Sequence, residues 1–304
     1  MARSADSLQL SAAEGPLPAE GRAASLSWRR LQRSPNLVVG TAILLLVLLS
    51  AVLAPQVSPY DPIDQEFTSQ LQPPSANHLF GTDEFGRDVF SRVVFGARIA
   101  LSVGGLADAI ATALGVLLGV LAGYFGGRLD AVVTRVIDVM LAFPYLLLAM
   151  IVVAILGPGL TNAMVAIAIV YTPQMARVVR GVVLSVKEHE YVEGARAMGG
   201  SASRILGRHI LPNIVSPIIV MATLTVGFMI VETAGLSFLG LGASPPTPEW
   251  GSMLATGRTF MLTAPWIATF PGLAILVTVV AFNLIGDGLR DLLDPRLKRS
   301  GAKI

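Results

Sequence analysis

The sequence predicts an all-α integral membrane protein with six transmembrane helices. Three observations lead there. Hydrophobic residues make up 53% of the 304-residue chain and charged residues only 14%, with a mean hydropathy of +0.68, whereas soluble domains carry roughly 25% charged residues. Apolar runs close to the ~20 residues that a helix needs to cross a bilayer recur along the chain. Lysine and arginine, finally, concentrate in every second loop between those runs.

Residues 1–27 are rich in Ala, Ser, Gly and Glu and lack an apolar stripe, which predicts a disordered tail. Their length and polarity do not fit a simple cleavable signal. The first span, Leu37–Ala54, is 18 uncharged residues behind Arg29, Arg30 and Arg33. It belongs with a second segment to a unit over 28–97. There, Asp61, Asp64 and Glu66 open a Pro-punctuated stretch, and Asp83–Arg98 reads as an interfacial amphipathic helix. Val89, Phe90, Val93 and Val94 form its apolar side, and Arg87, Asp88 and Arg92 another. Such a helix either borders a pore mouth or seals the protein–lipid boundary.

Residues 98–291 hold the other five spans. Ile99–Phe125 is apolar except for Asp108, with Gly115, Gly119 and Gly123 in a stripe suited to close helix contact. Val139–Ala176 is uncharged and divided by Gly157–Gly159 into two helices. Ile210–Val231 and Trp266–Ile285 complete the set. Arg135 and Asp138, three apart, are placed to pair on one helix face. Pro144, Pro173, Pro217 and Pro271 interrupt spans and permit kinks. The loop "GASPPTPEWGSM" is too Pro-rich for regular structure, and its Trp250 reads as an interfacial anchor or a contact for an external protein. Residues 292–304 form a polar C-terminal tail, with the last helix ending near Pro295.

An N-terminus inside puts 18 of the 22 basic residues on the inner face, so the positive-inside rule predicts both termini in the cytoplasm. The chain has no cysteine, its three histidines are scattered, and it contains no HExxH, GxSxG or GxxxxGK[ST] pattern. An ATP-driven function therefore requires an ATPase on another chain. Basic residues spread over membrane-flanking loops do not make a nucleic-acid surface. Two acidic residues fall inside spans, Asp108 and Glu232. Such residues face a bundle interior or water. Asp108 either faces a translocation path or pairs with Arg98 or with a second chain. Glu232 either meets a substrate ammonium or pairs with an arginine or backbone N–H. An ion-coupled transporter would use these same two carboxylates.

Between the fourth and fifth spans stands "EYVEGARAMGGSASRILGRHILPN", Glu190–Asn213. Ser185 and Glu188 offer a capping box ahead of it. Val192, Ala195 and Met198 recur at helical spacing, Gly199–Gly200 stop the helix, and Ser201 or Ser203 can cap a second one. The resulting helix–turn–helix serves either as a lever docked on a moving partner or as an amphipathic linker on lipid headgroups.

This segment resembles the EAA loop of binding-protein-dependent ABC importer permeases. Glu193, Gly194 and Ala195 match with Gly for the middle Ala, Ala197 lies within the same helix, Gly199 holds the motif glycine, and Leu211–Pro212 close it. Gly194 lowers local helix stability by roughly 0.5–1 kcal/mol relative to Ala. Further blocks at His78–Gly104, Gly123–Gly127, Arg135–Pro144, Gly235–Leu254 and Ala281–Lys298 resemble, in order, the C-type subunit for dipeptides, oligopeptides and relatives, a branch whose other substrates are glutathione, nickel chelates or sugars. The resemblance implies a type I importer permease fold, with the loop over about 181–211 as a cytoplasmic coupling helix. It also implies a second, B-type permease chain, two ATPase subunits that bind ATP and Mg, and an extracytoplasmic substrate-binding protein. The expected location is a bacterial cytoplasmic membrane. The resemblance assigns no catalytic residue, cofactor or metal to this chain.

Overall fold

A computed structural model describes residues 34–293. The tail expected over 1–27, the helix end near Pro295 and all but two residues of the C-terminal tail lie outside the described residues. Helix α1 (Pro35–Val52) and a short α2 (Ala54–Val57) precede an irregular segment with one 3₁₀ turn. Then follow α3 (Val89–Phe125), α4 (Gly127–Leu141), α5 (Tyr145–Leu156), α6 (Leu160–Lys187), α7 (Glu190–Ala197), α8 (Ala202–Ile205), α9 (Leu211–Phe238), α10 (Trp250–Thr259) and α11 (Trp266–Leu293).

Five helical stretches are long and apolar enough to cross a membrane, and the bent pair α4–α5 makes a sixth candidate. The axes of that pair differ by 98°. The uncharged third run is thus only partly a span: α5 has 12 residues, about 18 Å at 1.5 Å per residue, short of a hydrocarbon core of roughly 30 Å. Pro144, which caps α5 at the bend, lacks the N–H that a continuous helix would need. Helix α4 is bound instead to α6, through Arg180 on Asp130 and Arg177 on Asp138 (2.5 Å). The expected Arg135–Asp138 pair is therefore replaced by a cross-helix one.

Helices α3 and α6 run parallel, joined along the glycine stripe. A methyl at Gly115, Gly119 or Gly123 would come within 3 Å of Met175, Ala176 or Val183. In lipid, where apolar side chains gain little by leaving the solvent, such backbone approach supplies dispersion contact that longer residues would block. Helix α9 runs antiparallel to α3, because Gly104 meets Ile230 while Asp108 meets Thr225. Helix α11 packs on α9, and on α1 through Gly288 against Leu37.

The amphipathic helix expected over Asp83–Arg98 is not a separate interfacial element. Asp83–Asp88 form a turn, and Val89 begins a 37-residue helix continuous with the second span. Asp88 caps it by accepting from Ser91 N (2.8 Å) and also bonds His78 Nδ1 (3.0 Å). Asp83 accepts from Arg87 Nε (2.6 Å), and Arg92 donates to the carbonyls of Pro62 and Pro246. Arg87, Asp88 and Arg92, assigned by pattern to a polar outer face, are buried. Their partners lie up to 154 residues away, where no local periodicity can register them.

Candidate functional site: the α7–α8 loop and two carboxylates within the spans

Helix α6 continues through Lys187, so Ser185 is a last-turn residue and the expected capping box does not form; its carbonyl accepts from His189 Nδ1 at 2.9 Å. Extended backbone at His189 then redirects the chain into α7. Glu190 and Glu193 occupy the first turn of α7 and Arg196 the last, the arrangement that the helix dipole favours. One side chain anchors this helix. Val192 is fully buried among Val183, Val186, Ile205, Ile210 and Ile214, with Ala195 partly buried beside it.

Met198 does not continue that face. It is the C-cap and is 84% exposed, because the helix has already ended. Gly199 N–H reaches Arg196 O and Gly200 N–H reaches Ala195 O, both at 3.0 Å. This pair of bonds is the Schellman closure. It requires the left-handed backbone of Gly199, φ +77°, and leaves Gly200 no room for a Cβ, which would lie 2.7 Å from Ala195 O. Ser201 then caps α8 by accepting from Arg204 N. A π-helical turn, Leu206–Ile210, joins α8 to α9 without a break.

Glu193, Gly194, Ala197, Gly199, Leu211 and Pro212 are all exposed. Beyond the local backbone and the adjoining residues, no atom lies within 4 Å of where a Cβ on Gly194 or Gly199 would stand. Tyr191 stands exposed between the rings of His189 and His209 and links this surface to the start of α9. The loop is thus a short helix held from beneath by Val192, presenting small residues and a carboxylate outward.

The two carboxylates within spans are not brought together. Asp108, buried, accepts from Thr225 Oγ1 at 2.5 Å, and that hydroxyl also lies 3.0 Å from the carbonyls of Met221 and Ala222. Neither Arg98 nor any other cation pairs with it among the described residues. Glu232 stands seven residues beyond Thr225 on α9, about 10 Å along the axis. It is half-buried and without a hydrogen-bond or ion-pair partner among the described residues.

Trp250 requires correction. Its side chain is 2% exposed, Nε1 donates to Val93 O at 2.9 Å, and its ring fills the space that Gly96 leaves. It is neither an interfacial anchor nor available to an external protein. Irregular structure runs over Leu239–Glu249 and stops there; from Trp250 the chain is helical, capped by Glu249 through Gly251 N and Ser252 N. Burial raises the Glu249 carboxyl above its ordinary value, opposed by those two bonds. Sequence reasoning missed the polar knot around Asp83. Its only local signal was Asp88 three residues ahead of Ser91, an N-cap spacing.

The chain is thus a polytopic helical bundle with glycine-packed helices and a small exposed helix outside the long apolar ones. The family model described as "Binding-protein-dependent transport system inner membrane component" matches residues 115–299. That described as "N-terminal TM domain of oligopeptide transport permease C" matches 24–74. The chain belongs to this family of binding-protein-dependent transport permeases, the membrane component of ABC importers.

Among similar proteins, the dipeptide transport system permease protein DppC of Alkalihalophilus pseudofirmus is 46% identical over 93% of this chain and 94% of that protein. The glutathione transport system permease protein GsiD of Shigella flexneri serotype 5b is 49% identical over 89% and 90%. The probable D,D-dipeptide permease DdpC of Escherichia coli K12 is 46% identical over 90% and 91%. Among solved structures, an inward-facing MetNI methionine ABC transporter chain aligns with TM-score 0.57 at 19% identity, over 67% of this chain and 97% of that one. At that identity the likeness concerns the fold alone.

Proposed function

We propose that this chain is a permease subunit of an importer for dipeptides or similarly short peptides, driven by separate ATPase subunits that dock on α7. The observation that carries the coupling reading is the geometry of α7. A helix anchored by one fully buried valine and closed by a left-handed glycine presents an outer surface with no partner of its own among the described residues. ATP and Mg are bound by those other subunits. Closure of two ATPases, alike or different, would move α7, and the π-turn and α9 would carry that movement into the spans. A second permease chain completes the path, and an extracytoplasmic binding protein delivers the substrate. The membrane is a bacterial cytoplasmic membrane, with α7 and both termini on its inner side.

Relatives named for dipeptide and for glutathione transport support short peptides as the substrate class. Glutathione is the second reading, on the strength of 49% identity to one such relative. The test is uptake by the complete complex in proteoliposomes, comparing labelled dialanine with labelled glutathione. Accumulation of either that requires internal ATP and survives an uncoupler supports ATP-driven import and selects the substrate. Uptake that collapses with the uncoupler while ATP stays high replaces this reading with an ion-coupled carrier.

A further inference from the structure

Helices α6 and α9 run antiparallel, since both are referred to α3: α6 by the glycine stripe in parallel register, α9 by the Gly104–Ile230 and Asp108–Thr225 contacts in the opposite sense. Helical side chains lean toward the N-terminus of their own helix. Met175 meets Gly115, so Tyr171 stands one turn before that level, and Ile230 meets Gly104, so Glu232 stands near that one. Each lies on the N-terminal side of the other, about two helical turns away, and the two side chains lean toward one another. Glu232 lies three residues after Met229 and four before Leu236, which places all three on one face. Met229 and Leu236 are buried in the cluster that contains Tyr171, with Tyr145 packed against it.

The two tyrosine rings stack at 4.9 Å between centroids, and Tyr145 Oη lies 3.4 Å from Gln174 Oε1. Three helices thus direct an unpaired carboxylate, two phenols and an amide into one region of the bundle. A carboxylate with aromatic faces matches a cation that carries its own hydrogen-bond donors. A bare carboxylate at this depth is otherwise costly.

We propose that Glu232, Tyr145, Tyr171 and Gln174 form an intramembrane site for a primary ammonium group, that of a peptide's amino terminus. The carboxylate carries the charge recognition; the phenols and the amide orient the group. Asp108, already bonded to Thr225, does not take part. The substrate assignment rests on the peptide reading above, whereas the site itself rests on the geometry.

The test uses the chain's lack of native cysteine. Gly235→Cys places a thiol one turn from Glu232, where a Cβ meets only Leu146 Cδ1 at 3.7 Å. Val231→Cys, at an already exposed position, gives the same readout should the first variant disturb assembly. In the complete reconstituted complex, labelling of this chain is followed with methanethiosulfonate ethylammonium and with its ethylsulfonate counterpart, each corrected for its rate with a free thiol. The cationic reagent should react roughly 10-fold faster or more. Glu232→Gln should abolish that preference. Dialanine amide should protect the thiol, and N-acetyl-dialanine amide should not.

Equal labelling by the two reagents, no labelling by either, or a preference that survives Glu232→Gln overturns the site. A cationic preference with protection by the amine, in a complex that imports no peptide, upholds the site and rejects the peptide importer. Peptide import with no cationic preference does the reverse.

Discussion

The knot around Asp83 and the α7–α8 loop both lie outside the apolar cores of the spans, and both are rich in charge, yet they are built in opposite ways. In the knot the charges point inward: Asp83 is bonded to Arg87, Asp88 to His78 and Ser91, Arg92 to two distant carbonyls, and Glu84 to Arg87. In the loop the charges point outward, and the deep anchors are apolar, Val192 on α7 and Ile205 on α8. Charge in the first region is structural, because desolvated ions are tolerable only with partners in place. Charge in the second remains free for whatever binds there. Position in sequence and composition do not distinguish the two; hydrogen-bond inventory does.

The contrast is most exposed to failure at Asp83. Asp83→Ala leaves the buried Arg87 guanidinium with Glu84 alone (3.3 Å) and takes the carboxylate from Arg92 (3.6 Å); it should destabilise the protein by about 3–5 kcal/mol, read as a large fall in Tm or loss of folded protein in detergent. A neutral result would mean that the knot is dispensable. Val192→Ala truncates the one fully buried side chain of α7 at a cost of roughly 1–3 kcal/mol. Because that side chain holds α7 and little else, proteolysis should nick the α6–α7 junction sooner while the spans keep their melting behaviour.

Gly199→Ala forces a Cβ into left-handed backbone at about 1–2 kcal/mol, and Gly199→Trp adds bulk to the presented surface. Both should keep membrane insertion, and the tryptophan should abolish uptake; full transport by Gly199→Trp would count heavily against coupling through α7. Glu193→Gln should shift stability by no more than about 0.5 kcal/mol and still lower uptake, the inverse of Asp83→Ala. Equal loss of stability in both variants would erase the contrast.

The smallest effect concerns Glu84. Burial, reinforced by the neighbouring Asp83, raises its carboxyl above the ordinary value of 4.5, and one of its oxygens has no hydrogen-bond partner. Between 4.5 and that raised value the folded state holds more protons than the unfolded one, so stability falls as pH rises through the window. Glu84→Gln should remove this component and leave the protein slightly more stable at neutral pH, measured as Tm against pH.

Much of the fold was legible in the chain because hydropathy along a helix is local: α1 and the apolar stretches of α3, α6, α9 and α11 follow from runs of uncharged residues. So does the end of α7, since a Gly–Gly pair after a helical face is its own stop signal. Of the seven motif residues, Glu193, Gly194, Ala197, Gly199, Leu211 and Pro212 are exposed and Ala195 is partly buried. The same local reasoning failed wherever the partner was distant. It put Trp250 outside, where the structure buries it under Val93 and Gly96. It joined Asp138 to Arg135 instead of Arg177, and laid the start of α3 at the membrane interface, where the structure buries Arg87, Asp88 and Arg92.

Local pattern alone is enough to establish that this chain crosses a membrane several times as helices, carries no ATPase motif, and keeps a glycine-closed helix at one end. Those outcomes depend on transfer free energy and backbone conformational preference, which act over a few neighbouring residues. Three others came only from the packed helices: which charges are buried, that the third run bends by 98° instead of passing straight through, and that Glu232 shares a region with two tyrosines. These depend on which helix faces meet, and a face meets its partner only after the chain has folded.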